Sequence, residues 1–337
     1  MWYIYSGFDW ESLRRSLTEE MMWGWMIASL PFGVAAQMLR ALRWKQALLP
    51  LGEKARVHTS ICAIFLSYAS SLVVPRVGEV LRCGVLKRYD NVDFSHGVGT
   101  VVTERVVDMV VMLLITAFTV LWQASTFMNF VQQTGMSVKG IVDHFSSTQF
   151  VLLCVGALVL GIIAVWGIHK MKFFSRLRDV LSGITSGLLS VRKVQSPSIY
   201  AIYSIGIWVC YFLHFYVALL CFPATANVGV AAALVAFVVG SFAVLVPTPN
   251  GAGPWHFAVM TVFALYGVAA NDGAVCALVT HTIQTALVAL LGLYAMLALN
   301  FTRHRPRPLP QNERRDKSDR DRAPLPQPFP QMGGERG

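Results

Sequence analysis

The sequence predicts an all-α polytopic membrane protein with about seven to eight membrane segments, including two re-entrant or broken helices. Three observations predict this class. Hydrophobic residues make up 55% of the 337 positions, charged residues make up only 14%, and the apolar residues lie in runs close to membrane-spanning length. The net charge of +10 then indicates basic loops that meet anionic lipid headgroups, rather than a protein that binds nucleic acid.

Five apolar runs are long enough to cross a bilayer as helices. They are residues 21–38, 98–122, 150–166, 199–222 and 274–300. Three further segments are less regular, because 57–74 is rich in serine, 228–246 stops at a proline loop and 256–268 is short. We expect these three to be broken or re-entrant helices, since irregular backbone at membrane depth must be buried in protein or line a wet cavity.

The basic residues predict a topology, because cytoplasmic loops are enriched in Lys and Arg. Basic clusters within residues 40–56, 76–88 and 170–193 all face the cytoplasm only if segment 57–74 is re-entrant. In a cell (inner or plasma) membrane, this places the N-terminus and the loop 123–149 outside and the C-terminal tail inside. The second loop then dips in from the outer side, although a full crossing and return satisfies the count equally.

The composition divides the chain into three regions. Residues 1–20 are an interfacial amphipathic stretch, residues 21–300 are the membrane domain, and residues 301–337 are a basic, proline-rich tail that should be disordered. The tail fits a topology signal better than a nucleic-acid arm. The six cysteines are single and widely spaced, so we expect neither a disulfide framework nor a metal site, and no cofactor.

A first proline loop follows segment 57–74 and carries candidate substrate-binding residues. Pro75 and Gly78 break the helix, and Arg76 and Glu79 beside them are the better candidates for contacting a lipid headgroup. A helix N-terminus next to arginine suits a phosphate group. Glu79 could receive a cationic headgroup moiety or neutralise Arg76.

Arg82 follows on the same predicted helix, three residues after Glu79. With Lys87 and Arg88 it is more typical of an ordinary interfacial basic face. It nevertheless remains among the candidate substrate-binding residues.

Three more candidate binding residues, Glu104, Arg105 and Asp108, lie inside the apolar run 98–122, where each costs about 2.5 to 3.5 kcal/mol to insert. They fall on neighbouring parts of one helical surface. These three residues fit a substrate-binding role and a structural role equally well. The structural role is a local ion pair, or a latch from Glu104 to a basic residue of the first loop, Arg76 or Arg82.

Helix-breaking residues mark a second loop. They are Pro247, Pro249, Gly251 and Gly253. Prolines remove donors and glycines allow close approach, so backbone groups here can meet a headgroup or a partner helix. Asn250 and His256 are the candidate binding residues, although a lone histidine is more often a packing residue. His281 is interpreted as packing, with Gln284 as its partner. An apolar run and a proline precede both loops, which hints at an internal repeat.

Four ordered motifs resemble the lysylphosphatidylglycerol synthase transmembrane region, also called the flippase-like membrane family. The motifs are residues 40–44, then Pro75, Arg76, Gly78, Glu79 and Arg82, then Glu104, Arg105 and Asp108, then Pro247, Pro249, Gly251 and Gly253. The resemblance covers roughly residues 8–300. It implies about eight segments with re-entrant elements, in a family associated with moving lipids or lipid-linked glycans between leaflets.

The sequence departs from that family in three respects. His256 and Asn250 stand where the family commonly has a glutamate and a glycine, so the second loop lacks an acidic group. Family members commonly carry a helix before the one ending at Arg40, and residues 1–8 look like its last turn, so we expect a late or misassigned start. Nothing after Asn300 resembles the soluble aminoacyl-transferring domain of the synthases, and lysyl transfer is not expected.

Three functions are compatible with these residues. The first is a translocase for a phospholipid or lipid-linked headgroup, passive, ion-coupled or driven by a partner, because no nucleotide-binding motif is visible. The second is an intramembrane enzyme acting on lipid phosphates, which needs at least two of Glu79, Glu104, Asp108 and His256 to converge. The third is a non-catalytic subunit of an envelope-lipid synthase. We expect no catalytic residue, and a membrane enzyme or a second copy of the chain fits as a further partner.

Overall fold

The computed structural model describes residues 9–124, 194, 196–246 and 248–303, and every statement below concerns those residues. Several sequence predictions lie wholly or partly outside them. They concern residues 1–8, the loop 123–149, the helix at 150–166, the basic cluster within 170–193, the conformation of Pro247 and the character of the tail beyond residue 303. The only regular secondary structure in the described part of the chain is helical, and it contains no strand.

Ten α-helices make up the described residues. They are α1 Trp10–Arg15, α2 Trp23–Leu48, α3 Val57–Ser70, α4 Val77–Asp90, α5 Phe94–Trp122, α6 Pro197–Leu219, α7 Pro223–Ala226, α8 Gly229–Ala243, α9 Pro254–Leu265 and α10 Ala270–Asn300. Four of them, α2, α5, α6 and α10, are long and apolar enough to cross a membrane. Each was predicted from its apolar run, and the total of seven to eight segments stays a prediction.

Helix α2 extends ten residues beyond the apolar run that predicted it, to Leu48 instead of residue 38. The reason is that Arg40 and Arg43, which interrupt the apolar run, are buried at 4% and 0% exposure and paired with acids. Paired arginines do not end a helix, since their backbone groups continue the hydrogen-bond ladder.

Helices α2 and α6 pack along their length and run antiparallel. At one end the backbone N–H of Met22 donates to the carbonyl of Cys221 over 2.9 Å. At the other end Arg43 Nη1 donates to Ser204 Oγ over 3.3 Å. Residue numbers therefore rise along α2 as they fall along α6, which sets the axis for the rest of the fold.

Helices α3 and α4 form an antiparallel hairpin, called here the first hairpin. Its base is closed by Arg56, whose Nε lies 2.6 Å from Asp90 Oδ1. Near its tip, Gly78 packs so closely on the backbone of Ser67 that any side chain would overlap the Ser67 carbonyl oxygen. The tip thus depends on glycine at position 78.

Helices α8 and α9 form the second hairpin. Gly240 near the end of α8 lies against Trp255 at the start of α9. The turn between them adopts positive φ angles at Asn250 (52°), Gly251 (71°) and Gly253 (95°). Glycine accepts such angles without strain and asparagine tolerates the left-handed region, so the turn is built from suitable residues.

The two halves of the described chain share the same order of elements. Each half contains a long helix, a hairpin and a second long helix. Helix α3 packs extensively on α10, and α8 makes a smaller contact with α5. The base of the first hairpin follows the end of α2, and the base of the second follows the end of α6. Because α2 and α6 are antiparallel, the bases of the two hairpins follow opposite ends of this helix pair.

Each hairpin has its own apolar core. The first hairpin packs around Trp44, Phe65 and Leu86. The second packs around Leu219 and Phe263, together with the first turns of α10. The hairpin bases are therefore fixed in separate cores, and the tips extend from them toward the middle of the bundle.

Candidate functional site

A buried cluster of five charged side chains links α2, α4 and α5. The acids both belong to α5, and the arginines come from α2 and α4. Arg40 Nη1 lies 2.6 Å from Asp108 Oδ2, Arg43 Nη2 lies 2.8 Å from Asp108 Oδ1, and Arg82 Nη1 lies 2.7 Å from Glu104 Oε2. Arg43 Nε also approaches Glu104 Oε1 at 3.5 Å, so the two acids share one arginine.

The cluster carries more positive than negative charge, since three arginines face two acids, giving +3 − 2 = +1. Aromatic rings cover the guanidinium groups: Arg82 lies 4.7 Å from the Trp44 ring centroid, and Arg43 lies 5.8 Å from that of Tyr200. Buried charges are tolerated only when paired. The cluster therefore clamps α4 and α5 onto α2.

The enzyme hypothesis requires at least two ionisable side chains to converge. Glu104 and Asp108 lie in the same cluster, but each of them is paired with arginine. Of the two arginines predicted to latch onto Glu104, Arg82 forms an ion pair with it, whereas Arg76 contacts Leu245 instead. Acids held in this way favour a structural role for both carboxylates, because a general acid or base must exchange its proton with substrate.

A second charged pair, Glu79 and Arg105, stands outside the cluster. Arg105 Nη2 lies 2.6 Å from Glu79 Oε1, so Arg105 pairs across to α4 and not with Asp108 on its own helix. The two side chains are 49% and 34% exposed, for Arg105 and Glu79 respectively. Their surroundings are apolar and exposed, with Val80, Val102 and Val106 beside them.

The position of this pair along α5 is informative. Asp108 is the middle residue of the 29-residue helix Phe94–Trp122, and Arg105 comes three residues earlier. At a rise of 1.5 Å per residue, Arg105 lies only about 5 Å from the helix midpoint. An ion pair thus occupies the outer surface of a membrane-length helix near its centre, where lipid-facing charge is costly.

Arg76 connects the two hairpin tips. It adopts the left-handed conformation (φ 64°) just before α4 begins, and it is exposed. Its Nη2 donates to the carbonyl oxygen of Leu245, after the end of α8, over 3.1 Å. The two predicted loops therefore meet, and Val73 and Leu245 are exposed at the tips, at 78% and 62%.

The polar side chains of the second loop form a separate group. Asn250 Nδ2 donates to Thr285 Oγ1 over 2.6 Å, and its carbonyl oxygen lies 3.0 Å from His281 Nε2. The Gly253 N–H donates to His256 Nδ1 over 3.3 Å, which caps α9. The predicted partner of His281, Gln284, is thus replaced by the Asn250 carbonyl, because the loop folds back onto α10.

The predicted binding residues therefore separate into three groups. Arg82, Glu104 and Asp108 are buried in the cluster, and Arg76, Glu79 and Arg105 lie at the surface. Asn250 lies in the second loop, and His256 lies in the first turn of α9. Of the predicted loop residues, Gly78 and Pro75 shape the first tip, and Pro249, Gly251 and Gly253 shape the second. Within the described ranges, no set of three His, Cys, Asp or Glu side chains could hold a metal ion.

Sequence reasoning did not place Arg40 and Arg43 in the site, because they were assigned to a topology signal. One indication was present: two acids inside the α5 apolar run need basic partners, and these arginines sit three apart within another membrane helix.

Outside the long helices, Asp93 caps the start of α5. Its Oδ1 accepts the backbone N–H groups of Ser95 at 2.8 Å and His96 at 3.2 Å. Burial raises the pKa of the Asp93 carboxyl, but these hydrogen bonds outweigh burial, and the net shift is downward. Asp93 is therefore held as a carboxylate that fixes the entry of α5.

Comparison with known proteins gives a family and one relative. The chain is 25% identical, over 301 residues, to a protein named glycosyltransferase AglD from Haloferax volcanii. That alignment covers 80% of this chain and 48% of AglD, so the chain spans about half the length of this curated relative. No solved structure matches the chain. Residues 1–292 match the family described as the lysylphosphatidylglycerol synthase TM region, and the chain belongs to this family of membrane proteins.

Proposed function

We propose that the protein is a translocase of the inner membrane that moves the headgroup of a phospholipid or lipid-linked substrate between leaflets. The observation that carries this proposal is the partly exposed ion pair of Glu79 and Arg105, near the middle of α5 and surrounded by apolar side chains. A lipid-facing charge at this depth is expensive, which makes it a candidate for function.

The lengths of the hairpin helices support re-entry. Helices α3 and α4 have 14 residues each, α8 has 15 and α9 has 12. At 1.5 Å per residue they reach about 18 to 22 Å, less than the hydrocarbon thickness of about 30 Å. Each hairpin would then enter from one face and end near the midplane, with the N-terminus outside and the tail in the cytoplasm.

The three predicted binding residues at the surface, Arg76, Glu79 and Arg105, suit a phosphate-containing headgroup. Arg76 and Arg105 supply guanidinium donors, which pair well with phosphate oxygens. Glu79 neutralises Arg105 while no lipid is present, and it can receive an ammonium group. The surplus positive charge of the cluster behind them attracts an anion without contacting it. The headgroup would pass along this polar surface while its tails stay in lipid.

The comparisons also support a second candidate function, that of a membrane subunit that serves an envelope-lipid enzyme. The relative AglD is named a glycosyltransferase, and this chain matches only about half of it. In that case the chain would present a lipid to an enzyme. Stable co-purification with such an enzyme, without lipid movement by the purified chain, would favour this candidate.

Reconstitution tests the proposal. Proteoliposomes carrying fluorescently labelled anionic, zwitterionic and cationic phospholipids report leaflet exchange for the native chain, Glu79→Gln and Arg76→Ala. The matched control is Glu11→Gln, because Glu11 also pairs with an arginine but lies exposed on α1. We expect native exchange above empty liposomes, slower exchange in both tip variants, and native rates in the control. No exchange above empty liposomes for any lipid would contradict an autonomous translocase.

A further inference from the structure

The buried cluster contains one arginine that has no acid of its own. Arg40 pairs with Asp108 over 2.6 Å. Arg82 pairs with Glu104 over 2.7 Å. Arg43, whose side chain is 0% exposed, shares Asp108 at 2.8 Å and reaches Glu104 only at 3.5 Å. The surplus positive charge of the cluster therefore lies on a fully buried guanidinium.

A surplus charge of this kind requires a counter-ion. Arginine keeps its proton in proteins, so Arg43 cannot become neutral as a buried lysine or histidine can. Taking an unbalanced ion out of water is strongly unfavourable. The ring of Tyr200 and the hydroxyl of Ser204 contact Arg43, but both groups are neutral and leave its charge unbalanced.

The other acids in the described part of the chain are engaged elsewhere or belong to the other hairpin core. Those around the first hairpin each have a partner of their own: Glu79 binds Arg105, Asp90 binds Arg56, Glu53 binds His96 and Asp93 caps α5. The remaining described acids, Asp272 and those within residues 9–20, lie in segments that pack with the second hairpin. Arg43 therefore finds no third acid among the residues that the structure describes.

Unused hydrogen-bond donors lie at the same place. Arg43 Cζ is 5.8 Å from the ring centroid of Tyr200, which is 6% exposed. Among the described residues, the Tyr200 hydroxyl has no hydrogen-bond partner, although buried polar groups are nearly always hydrogen-bonded. The contacts of Arg43 with one hydroxyl and two carboxylates use at most three of the five N–H donors of an arginine. Positive charge and free N–H and O–H donors thus meet in one buried position.

We propose that Arg43 and Tyr200 form a binding site for a small monovalent anion of the chloride class. One negative charge neutralises the cluster, whereas a divalent phosphate or sulfate would leave a buried negative charge in its place. The complete burial of Arg43 favours a small anion over a bulky one. The same surplus charge draws a headgroup phosphate toward Arg76 and Arg105, so the small anion is the expected occupant while no headgroup is near. The site itself does not depend on lipid movement.

Thermal unfolding of the purified chain in detergent tests the site. Sodium chloride replaces sodium gluconate step by step, so that the ionic strength stays constant while only the anion changes. The unfolding midpoint of the native chain should rise with chloride and approach saturation, because a ligand that binds only the folded state stabilises it by mass action. A native midpoint that does not rise with chloride would overturn the site.

Arg43→Gln removes the surplus charge and leaves two arginines facing two acids. Because this variant buries no unbalanced ion, it should fold cooperatively, and its midpoint should not respond to chloride. Non-specific salt effects act on every variant alike, so the difference between variants isolates the site. An Arg43→Gln midpoint that rises as much as the native one would overturn the proposal.

Tyr200→Phe keeps the charge and the aromatic ring but removes the hydroxyl. Loss of a hydrogen bond to a charged group lowers affinity by about tenfold or more, so the half-maximal rise should need at least about tenfold more chloride. Tyr203→Phe, on the same helix α6, is the matched control and should respond as the native chain does. Equal chloride responses of the two tyrosine variants would overturn the site, and this comparison decides the matter even if Arg43→Gln does not fold.

Discussion

The guanidinium of Arg76 donates to the carbonyl oxygen of Leu245 over 3.1 Å, so the tips of two hairpins from opposite ends of the bundle touch. A carbonyl oxygen takes only one of the five N–H donors of an arginine. Arg76 is exposed, so the contact leaves it able to bind an anion while it holds the tips together. A headgroup that takes Arg76 away from Leu245 would also separate the tips.

Breaking the buried cluster should destabilise the fold. Arg82→Ala leaves Glu104 with its distant partner Arg43, at 3.5 Å, in a site where Glu104 is 0% exposed. Loss of one partner of a buried ion pair typically costs about 3 to 5 kcal/mol. Denaturant unfolding in detergent should show a loss of that order. Arg14→Ala in the exposed α1 pair should leave the unfolding free energy nearly unchanged, because water screens an exposed ion pair. Equal losses in the two variants would contradict the clamp.

Gly78 and Gly84 form a matched test of the first hairpin, because both lie on α4. A side chain at Gly78 would overlap the Ser67 backbone, whereas a side chain at Gly84 would meet nothing within 4 Å. Gly78→Ala should therefore lower the unfolding free energy by about 1 to 3 kcal/mol or more. Gly84→Ala should be neutral, or stabilising by up to about 1 kcal/mol, because alanine favours helix. Thermal unfolding of the two variants measures the difference, and similar midpoints would refute the predicted hairpin packing.

The cap at Asp93 predicts a pH dependence. Because the pKa of Asp93 is lower in the folded chain than its ordinary 3.8, folding favours the carboxylate. The resulting stability is present above the ordinary pKa and is lost as pH falls through the lower folded value. At neutral pH, Asp93→Ala should cost about 0.5 to 2 kcal/mol, as for other helix N-caps.

Unfolding midpoints measured from pH 7 down to pH 3 check this prediction. The gap between the native chain and Asp93→Ala should narrow as the carboxylate is protonated. A gap that widens toward low pH would show that the sign of the pKa shift is wrong.

Much of the helical framework could be predicted from the sequence, because membrane helices are recognised as long apolar runs. The two proline loops were also located, since proline and glycine interrupt helices wherever they occur. The bounds were less accurate: α2 continues to Leu48 because Arg40 and Arg43 are neutralised by residues that are distant in sequence.

The pairing of charged side chains between helices could not be predicted from the sequence. Glu104 and Asp108 suggested a local pair with Arg105, yet Arg105 turns to Glu79 and the acids turn to α2 and α4. Helical spacing limits which residues share a face, but the rotation and the depth of each helix decide which faces meet. The contact between the two hairpin tips depends on the same packing, and only the three-dimensional structure reveals it.

The most direct test compares two arginine variants in one assay. Leaflet exchange of a labelled anionic phospholipid is measured for Arg76→Ala and for Arg14→Ala, which removes an exposed arginine of α1. Loss of a charge-assisted hydrogen bond costs about 1.5 to 3 kcal/mol, or at least about tenfold in rate. Headgroup passage at the first tip predicts exchange at least about tenfold slower in Arg76→Ala and native exchange in Arg14→Ala. Equal rates in the two variants would contradict it.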